Sequence, residues 1–424
     1  MQAVLCALAS HARWLARLRR PRSRVFIVCD PGPDPDDVKV LVIACMLHLR
    51  GEIDLVGVIA NGGHNAQRRA QLARLVLDRL GAREVPVAVG MPGSYTKAND
   101  YEFSLLRWQS GVPGGPGEEE SGRQFQTTGA EGQMLLSSCV KDCLADDSRQ
   151  RLTLVIQAGM MDVAFYLQSS AQNQSDFRSA VERVVIQGSA IVNVDSSSLA
   201  GPAAATTFTL QPDDSSNNAF DPDAAAFLYR FLHQCASASS GGHQRPAMTL
   251  VGRDAVPPIS INTVRSCVGG PPCSISRYLS SVQDEGLASL WTAVCSNGSN
   301  GSGRLPARCN REWYWQTFCA HLEPPAGGLA SIPSHSTIPG SDCGIRAFLK
   351  EGVVKPYDVV AFMAALPCFK QDFKWQEAAQ VTGPEEASLI HRFTHSSHCP
   401  PRQKVEGLVR EALCWANDQE LTSS

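Results

Sequence analysis

A dense run of carboxylates follows the first apolar segment of the chain. Residues 25–29 are Val-Phe-Ile-Val-Cys, which predicts a buried strand, and the apolar residues after position 36 have the spacing and content of a helix. Four aspartates lie between or at these two elements: Asp30, Asp34, Asp36 and Asp37. Their charges repel one another unless a cation or several hydrogen-bond donors neutralise them. All-oxygen ligands at this density suit a hard cation, Ca²⁺ before Mg²⁺.

Two other interpretations of this loop stay open from the residues alone. Asp36 and Asp37 are placed to cap the helix, where carboxylates meet the positive end of its dipole, but capping accounts for only two of the four aspartates. Aspartate clusters at strand ends also serve phosphoryl transfer with Mg²⁺. That chemistry needs a basic side chain close to the loop, and only Lys39 lies near it in the sequence.

The composition narrows the classes of partner and compartment. A net charge of −3, with no basic stripe beyond the first 24 residues, argues against nucleic acid as a partner. No apolar run reaches the length of a membrane span, so we expect no membrane partner. Fifteen cysteines, an odd number without a C-x-x-C pair, favour a reduced compartment such as the cytoplasm. The first 24 residues hold six arginines and no acid, which is typical of either an organelle transit peptide or a short surface helix.

Strands and helices alternate along most of the chain. Five further strands are predicted at 54–60, 85–90, 152–159, 184–189 and 248–251, and helices at 66–80, 131–144 and 403–415. This order predicts an α/β fold with an open, mostly parallel sheet flanked by helices. Ligands of such sheets bind at the carboxyl ends of the strands, where we expect Asp30 and Asn65 to lie.

Three motifs in the chain resemble those of the nucleoside hydrolases, in particular the inosine-uridine preferring type. The first is Asp-Pro-Gly at 30–32 followed by an Asp pair at 36–37, with two residues more than the usual spacing of the family. The second is Asn217, four residues before an Asp-Pro that opens an apolar helix. The third is Tyr-Asp at 357–358, where the family has His-Asp. The chain resembles a divergent member of the family over roughly residues 24–366.

The resemblance implies a role for each matched residue. Asp30 would be the catalytic base, and four groups would hold Ca²⁺: Asp30, Asp37, Asp358 and the main-chain carbonyl of Ala158. Contacts with the ribose or the base would come from Asp36, Asn65, Gln187, Asn193, Asn217 and Tyr357. Because of the two extra residues, Asp34 or Asp36 could face the sugar, and the distance to the helix favours Asp36.

The activity implied by the resemblance is calcium-dependent hydrolysis of the N-glycosidic bond of ribonucleosides to free base and ribose, as in purine and pyrimidine salvage. The partner would be a small nucleoside, and such a chain could form a homo-oligomer. Two departures leave an alternative open: Ser215 stands where the family has a sugar-binding Glu, and Tyr357 replaces a His that often protonates the leaving base. The alternative is a catalytically altered protein that binds a ribosyl ligand without turnover.

Two further side-chain questions follow from these departures. Asp213 or Asp214 could compensate for the carboxylate that Ser215 lacks. The aromatic run Trp-Tyr-Trp at 313–315 either stacks on the leaving base or packs in the core, and core packing is the commoner fate.

The expected domain organisation has three parts. Residues 1–23 form the Arg-rich leader, and residues 24–370 form a nucleoside hydrolase-like domain. This domain carries insertions near 91–128, 196–214 and 255–345, where Gly, Pro and Ser interrupt the periodic pattern. Residues 371–424 form a C-terminal extension that completes the domain.

Overall fold

The computed structural model of the protein describes residues 22–32, 35–93, 130–146, 150–194, 208–237, 245–265, 273–296, 308–334, 344–374 and 390–423. Four features predicted from the sequence fall outside these ranges, wholly or in large part. They are the Arg-rich leader, the insertions near 91–128 and 196–214, and Asp34.

The described ranges contain strands and helices in alternation. The strands are β1 (Ser23–Cys29), β2 (Ile53–Ala60), β3 (Val87–Val89), β4 (Leu152–Ile156), β5 (Val181–Gln187), β6 (Ala190–Val194), β7 (Phe208–Pro212), β8 (Ala247–Val251), β9 (Ile259–Ser260), β10 (Val353–Val354) and β11 (Ile390–Phe393). The helices are α1 (Asp36–Leu49), α2 (Ala66–Arg79), α3 (Glu131–Ala145), α4 (Met161–Ser169), α5 (Ala171–Ala180), α6 (Ser216–Ala219), α7 (Pro222–Ser237), α8 (Asn262–Arg265), α9 (Ser274–Ser296), α10 (Arg311–Phe318), α11 (Ile345–Leu349), α12 (Tyr357–Ala365) and α13 (Arg402–Ser423). None of these described helices is long and apolar enough to cross a membrane.

A seven-stranded sheet in the order β3-β2-β1-β4-β5-β8-β11 forms the centre of the molecule. Each strand runs parallel to its neighbours. Two antiparallel pairs, β6 with β7 and β9 with β10, lie outside it. The predicted open, mostly parallel sheet flanked by helices is therefore confirmed, and its carboxyl ends meet at one edge.

The sheet is buried on both faces, which explains why its strands are nearly continuous apolar runs. In β1, Val25, Ile27 and Cys29 face one core, and Phe26 and Val28 face the other. Helices α1, α2, α9, α10, α12 and α13 contribute to the first core, and α3, α4, α5 and α7 contribute to the second. The result is a three-layer arrangement of helices, sheet and helices.

Several elements depart from the sequence prediction. Helix α5 has few apolar residues, but the hydroxyl of Ser170 caps it by accepting a hydrogen bond from the backbone N–H of Asn173. Helix α9 lies within the predicted insertion near 255–345, and its Trp291 is fully buried in the first core. One or two helices are expected within this region from the sequence, and α9 is the longest described one. Strand β11, from the C-terminal extension, adds an edge to the sheet beside β8.

Candidate functional site

The carboxyl ends of the central strands bring the acidic loop against two neighbouring turns. The backbone N–H of Asn61, after β2, donates to the carbonyl of Cys29 over 3.0 Å. On the other side, the N–H of Gln157, after β4, donates to the carbonyl of Val28 over 2.8 Å. Asp30 directly follows β1 and lies between these two turns. The predicted position of Asp30 at the ligand-binding edge of the sheet is therefore the observed one.

Three carboxylates predicted to bind metal surround the end of β1. Asp37 is 3% exposed, and its Oδ1 accepts a hydrogen bond of 3.2 Å from the backbone N–H of Asp30. Asp358 is 7% exposed and lies in the first turn of α12. Burial raises the pKa of the Cys29 thiol well above its usual range, and the charges of Asp37, Asp30 and Asp358 raise it further. These influences place all three carboxylates close to that thiol.

The predicted carbonyl ligand lies at the same edge. Ala158 is fully buried, and the side-chain amide of its neighbour Gln157 donates to the carbonyl of Asp358. Carboxylate and carbonyl oxygens are the donors that Ca²⁺ prefers, so the chemistry of this set fits calcium. Among the described residues, no group of three or more His, Cys, Asp or Glu side chains converges closely enough to hold a metal ion. The assignment of calcium and its ligands therefore stays a prediction.

Asp36, predicted to bind the sugar, makes its hydrogen bonds inside the protein. It is 4% exposed, and its Oδ1 lies 2.7 Å from Nζ of Lys39, which is itself 1% exposed. Its Oδ2 accepts a hydrogen bond of 2.9 Å from the backbone N–H of Tyr357. Lys39 also donates to Oε1 of Gln283 over 2.8 Å. Asp36 and Lys39 thus connect α1 with α9 and α12, while the role of Asp36 as a sugar ligand stays a prediction.

Arg69 on α2 is a buried cation beside Asp30 that sequence reasoning missed. It is 3% exposed, and its Nε donates to the carbonyl of Gly62 over 3.1 Å. Its Nη1 donates to the carbonyl of Asp30 and lies 3.5 Å from Oδ2 of the same residue. In the sequence Arg69 follows Arg68, which is exposed, so the pair is typical of a solvated helix face. Only the packing of the fold distinguishes the two arginines.

Two residues predicted to contact the sugar meet in the structure. The side-chain amide of Asn217 donates to Oε1 of Gln187 over 2.6 Å and to its carbonyl over 3.2 Å. Asn65 is half-buried in the short 3₁₀ turn before α2. Asn193 is exposed on β6, opposite Thr209 of β7. Gln187 and Asn217 are therefore hydrogen-bonded to each other, whereas Asn193 lies on the separate hairpin of β6 and β7.

Phe220 connects this pair with the acidic edge. Gly62 has a φ of +93°, and a Cβ at this glycine would lie 3.3 Å from both Cβ of Asp30 and the ring of Phe220. A Cβ at Gly159 would lie 3.0 Å from Cβ of Phe220. Since α6 carries Asn217 and ends next to Phe220, this packing brings Asn217 toward the carboxyl ends of β1 and β4. The glycines permit the close approach.

Comparison with solved structures shows which fold this is. The type III effector protein XopQ complexed with adenosine diphosphate ribose aligns with 96% of this chain and 99% of its own, with a TM-score of 0.64 and 22% identity. The effector protein XOO4466 aligns over the same shares with a TM-score of 0.61 and 22% identity. A plant nucleoside hydrolase, PpNRh1, aligns with 93% of this chain and 99% of its own, with a TM-score of 0.51 and 13% identity. This chain has the nucleoside hydrolase fold. No protein-family model matches the sequence, and curated proteins gave no significant match.

Ser215 stands where the resemblance implies a sugar-binding Glu. Its Oγ is shielded from solvent and makes no hydrogen bond within the described residues. The carboxylate of Asp213 is held by the backbone N–H of Ser215 at 3.0 Å and by the side chain of Asn218 at 2.9 Å. Asp214 is exposed and pairs with Arg253 and Arg308. The two aspartates that could replace the missing Glu are therefore both bound to other groups.

The aromatic residues 313–315 belong mainly to the core of the fold. Tyr314 is fully buried, and its hydroxyl donates to the carbonyl of Leu287 over 2.8 Å. Trp315 is 6% exposed in the same core, and Trp313 packs edge-on against Phe318 with ring centres 6.0 Å apart. Core packing, the commoner of the two fates, is thus observed. Tyr357 is likewise half-buried against the first core, and its role toward a substrate stays a prediction.

A second buried network supports the turn after β4. The side-chain amide of Asn61 donates to the carbonyl of Gly159 over 2.8 Å and to Oδ2 of Asp162 over 2.9 Å. The backbone N–H of Met91 lies 3.1 Å from both carboxylate oxygens of Asp162. Burial raises the pKa of Asp162 from 3.8 to about 6, while the hydrogen bonds from Asn61 and Met91 oppose the shift. Asp162 thus orients Asn61, which fixes the turn that carries Ala158.

We expect Lys39→Met to destabilise the protein by about 3–5 kcal/mol, because it leaves the carboxylate of Asp36 buried beside an apolar side chain. The double variant Asp36→Asn, Lys39→Met should recover much of that loss, since no unpaired charge remains. Urea unfolding of the single and double variants measures both effects. Arg50→Met, which breaks an exposed pair with Glu411, should change the free energy of unfolding by less than about 1 kcal/mol. Equal effects of the two single substitutions would contradict a buried role for Lys39.

Asp162 should make stability depend on pH. Because its pKa is higher in the folded chain than the usual 3.8, the protonated form favours folding. This contribution is present below about pH 4 and is lost as the pH rises through about 6, a loss of roughly 3 kcal/mol. We expect the free energy of unfolding of Asp162→Asn relative to the parent protein to rise by that amount between about pH 4 and 7.5. Asp223→Asn, at an exposed position on α7, controls for the substitution itself. A constant difference for Asp162→Asn would exclude the effect.

Proposed function

We propose that the protein hydrolyses the N-glycosidic bond of ribonucleosides in a calcium-dependent reaction that gives free base and ribose. The observation that supports this most is that the backbone N–H of Asp30 binds the carboxylate of Asp37 at the end of β1, with Asp358 in the first turn of α12 near the same end. Across Phe220, the Gln187–Asn217 pair supplies neutral donors and acceptors to the same edge. Carboxylates near an amide pair suit a ligand that carries several hydroxyl groups and develops positive charge.

Calcium would be held by Asp30, Asp37, Asp358 and the carbonyl of Ala158. When bound, the ion supplies orientation for two ribose hydroxyl groups and for the attacking water. Asp358 and Asp37 lie in the first turns of α12 and α1, where the helix dipoles favour negative charge. These carboxylates therefore stay in place as acceptors whether or not a ligand is present.

Asp30 would take the proton of the water as the water oxygen bonds to the anomeric carbon. The bond from that carbon to the base nitrogen breaks, and its electron pair leaves with the base. Asn217 and Gln187 would bind ribose hydroxyl groups and hold the ring toward Asp30. Positive charge develops on the ribosyl ring, and the neighbouring carboxylates stabilise it. Tyr357 could donate a hydrogen bond to the base, although a phenol with a pKa near 10 is a weaker acid than imidazolium.

We expect reducing sugar to be released from at least one member of a panel of purine and pyrimidine nucleosides. A calcium chelator should abolish the release, and Asp30→Asn should lower the turnover rate by about 10²–10⁴-fold, because it removes the general base. Asp223→Asn provides a matched carboxylate control at an exposed position. If a folded, calcium-binding protein released sugar from none of the nucleosides, hydrolysis would be the wrong function.

Binding of a ribosyl diphosphate without turnover is the second candidate function. The effector XopQ, with which this chain shares its fold, is complexed with adenosine diphosphate ribose. In this chain, Arg253 lies 2.5 Å from Oδ1 of Asp214, and Arg308 binds the other carboxylate oxygen of the same residue. Asp214 directly precedes Ser215, which carries no charge. A diphosphate could replace the carboxylate of Asp214 between two guanidinium groups, which bind phosphate oxygens in pairs.

We expect ADP-ribose to bind in isothermal titration, and the double variant Arg253→Gln, Arg308→Gln to weaken it more than tenfold. Asp214→Asn should tighten ADP-ribose several-fold because it releases both arginines from their carboxylate. Adenosine lacks the diphosphate, so its affinity should not change in either variant. Arg410→Gln, at an exposed position on α13, is the control. Equal binding of ADP-ribose by all these proteins would exclude the arginine pair as the diphosphate site.

A further inference from the structure

Arg69 is held in the molecule by groups that belong to the proposed catalytic loop. Its Nε binds the carbonyl of Gly62, and its Nη1 binds the carbonyl of Asp30 and approaches Oδ2 of Asp30 to 3.5 Å. The side chain is 3% exposed, whereas that of Asp30 is 17% exposed. A buried guanidinium is stable only when it is paired and hydrogen-bonded. These hydrogen bonds therefore hold Arg69 in one position, and they hold Asp30 against it.

The charged surroundings of Arg69 are mainly acidic. Asp37 and Asp358 lie near the same end of β1, and the charge of Arg69 opposes theirs at the Cys29 thiol. Tyr278 of α9 is buried beside it and donates to the carbonyl of Gly32 over 3.2 Å. Burial raises the pKa of this phenol, and the charges of Arg69 and Asp37 act on it in opposite directions. The neighbourhood thus contains three carboxylates and the guanidinium of Arg69.

We infer that Arg69 is a built-in counter-ion of the carboxylate site, which positions Asp30 and offsets one of the three negative charges. The inference rests on the proposed function, in which these carboxylates hold calcium and Asp30 takes a proton. A fixed cation repels a second cation that binds a few ångströms away, and distance and solvent screening reduce this repulsion at a partly accessible site. Arg69 therefore lowers the affinity of the site for a divalent cation while it keeps Asp30 in place.

The shape of the guanidinium explains why an arginine occupies this position. It contacts the main chain on both sides of the site, at Gly62 and at Asp30, and reaches the Asp30 carboxylate with the same group. The ammonium of a lysine is a point charge on a flexible stem and cannot span these acceptors. Positioning and charge balance can therefore be separated by substitution.

Two variants separate the two roles. Arg69→Met removes the charge, and we expect Ca²⁺ to bind about three- to tenfold more tightly in isothermal titration without nucleoside. Its kcat should fall at least tenfold, with KM changed less than threefold, because Asp30 loses its support. Arg69→Lys keeps the charge, so Ca²⁺ affinity should stay within about twofold of the parent protein while kcat still falls.

Arg74 offers a matched control on the same helix. It is 7% exposed, donates to the carbonyls of Ala82 and Val85, and pairs with Asp78 at 2.8 Å. Arg74→Met should lower stability but leave Ca²⁺ affinity and kcat of the folded protein unchanged. Tighter Ca²⁺ binding with slower turnover cannot arise from damage to the fold alone, since damage weakens both.

The outcomes distinguish this inference from the proposed hydrolysis. If the parent protein releases no sugar but Arg69→Met binds Ca²⁺ more tightly than it does, the counter-ion role is supported and the hydrolysis is not. If the parent protein releases sugar and Arg69→Met binds Ca²⁺ equally or more weakly, the counter-ion role is wrong. Absence of Ca²⁺ binding by both proteins would also overturn it.

Discussion

Negative charge at the carboxyl edge of the sheet is the constraint on which the arrangement of this site depends. Asp36, Asp37 and Asp358 are each less than a tenth exposed, and Asp30 is only slightly more accessible. Burial of several carboxylates without compensation would exceed the whole stability of a typical domain. The elements around the edge therefore have to supply cations, backbone N–H groups or a bound metal.

The groups that offset the negative charge differ from one aspartate to the next. Asp36 is neutralised inside the protein by Lys39 and by the N–H of Tyr357, so its charge is part of the packing of α1 against α12. Asp30 lies beside the guanidinium of Arg69, and the carboxylate of Asp30 stays partly accessible to solvent. Asp37 and Asp358 occupy the first turns of helices, where the dipole offsets part of their charge. The edge thus contains the buried ion pair of Asp36 with Lys39 beside the carboxylates of Asp30, Asp37 and Asp358, which would be the ligands of calcium under the proposed function.

Much of the fold could be predicted from the sequence, because a sheet buried on both faces imposes apolar strands separated by periodic helices. A local motif predicted that Asp30 lies at the carboxyl edge of the sheet and Asp37 at the start of the next helix, while the roles of these residues stay predictions. Arg69 and Asp162 could not be predicted, since burial of a single charged residue on an amphipathic helix leaves no periodic signal.

Ser215, one of the two departures from the resemblance, lies on a different part of the fold from Asp30. It directly precedes α6, and its neighbour Asp214 pairs with Arg253 after β8 and Arg308 before α10. The carboxylates of the acidic edge belong instead to the end of β1 and the starts of α1 and α12. The two groups are joined through Phe220, which packs against Gly62 and Gly159. Under the proposed function, a change of charge at Ser215 would alter which substituent of the ribose is accepted without moving Asp30. Hydrolysis and diphosphate binding would then depend on different residues, so a substitution in one set would leave the other set in place.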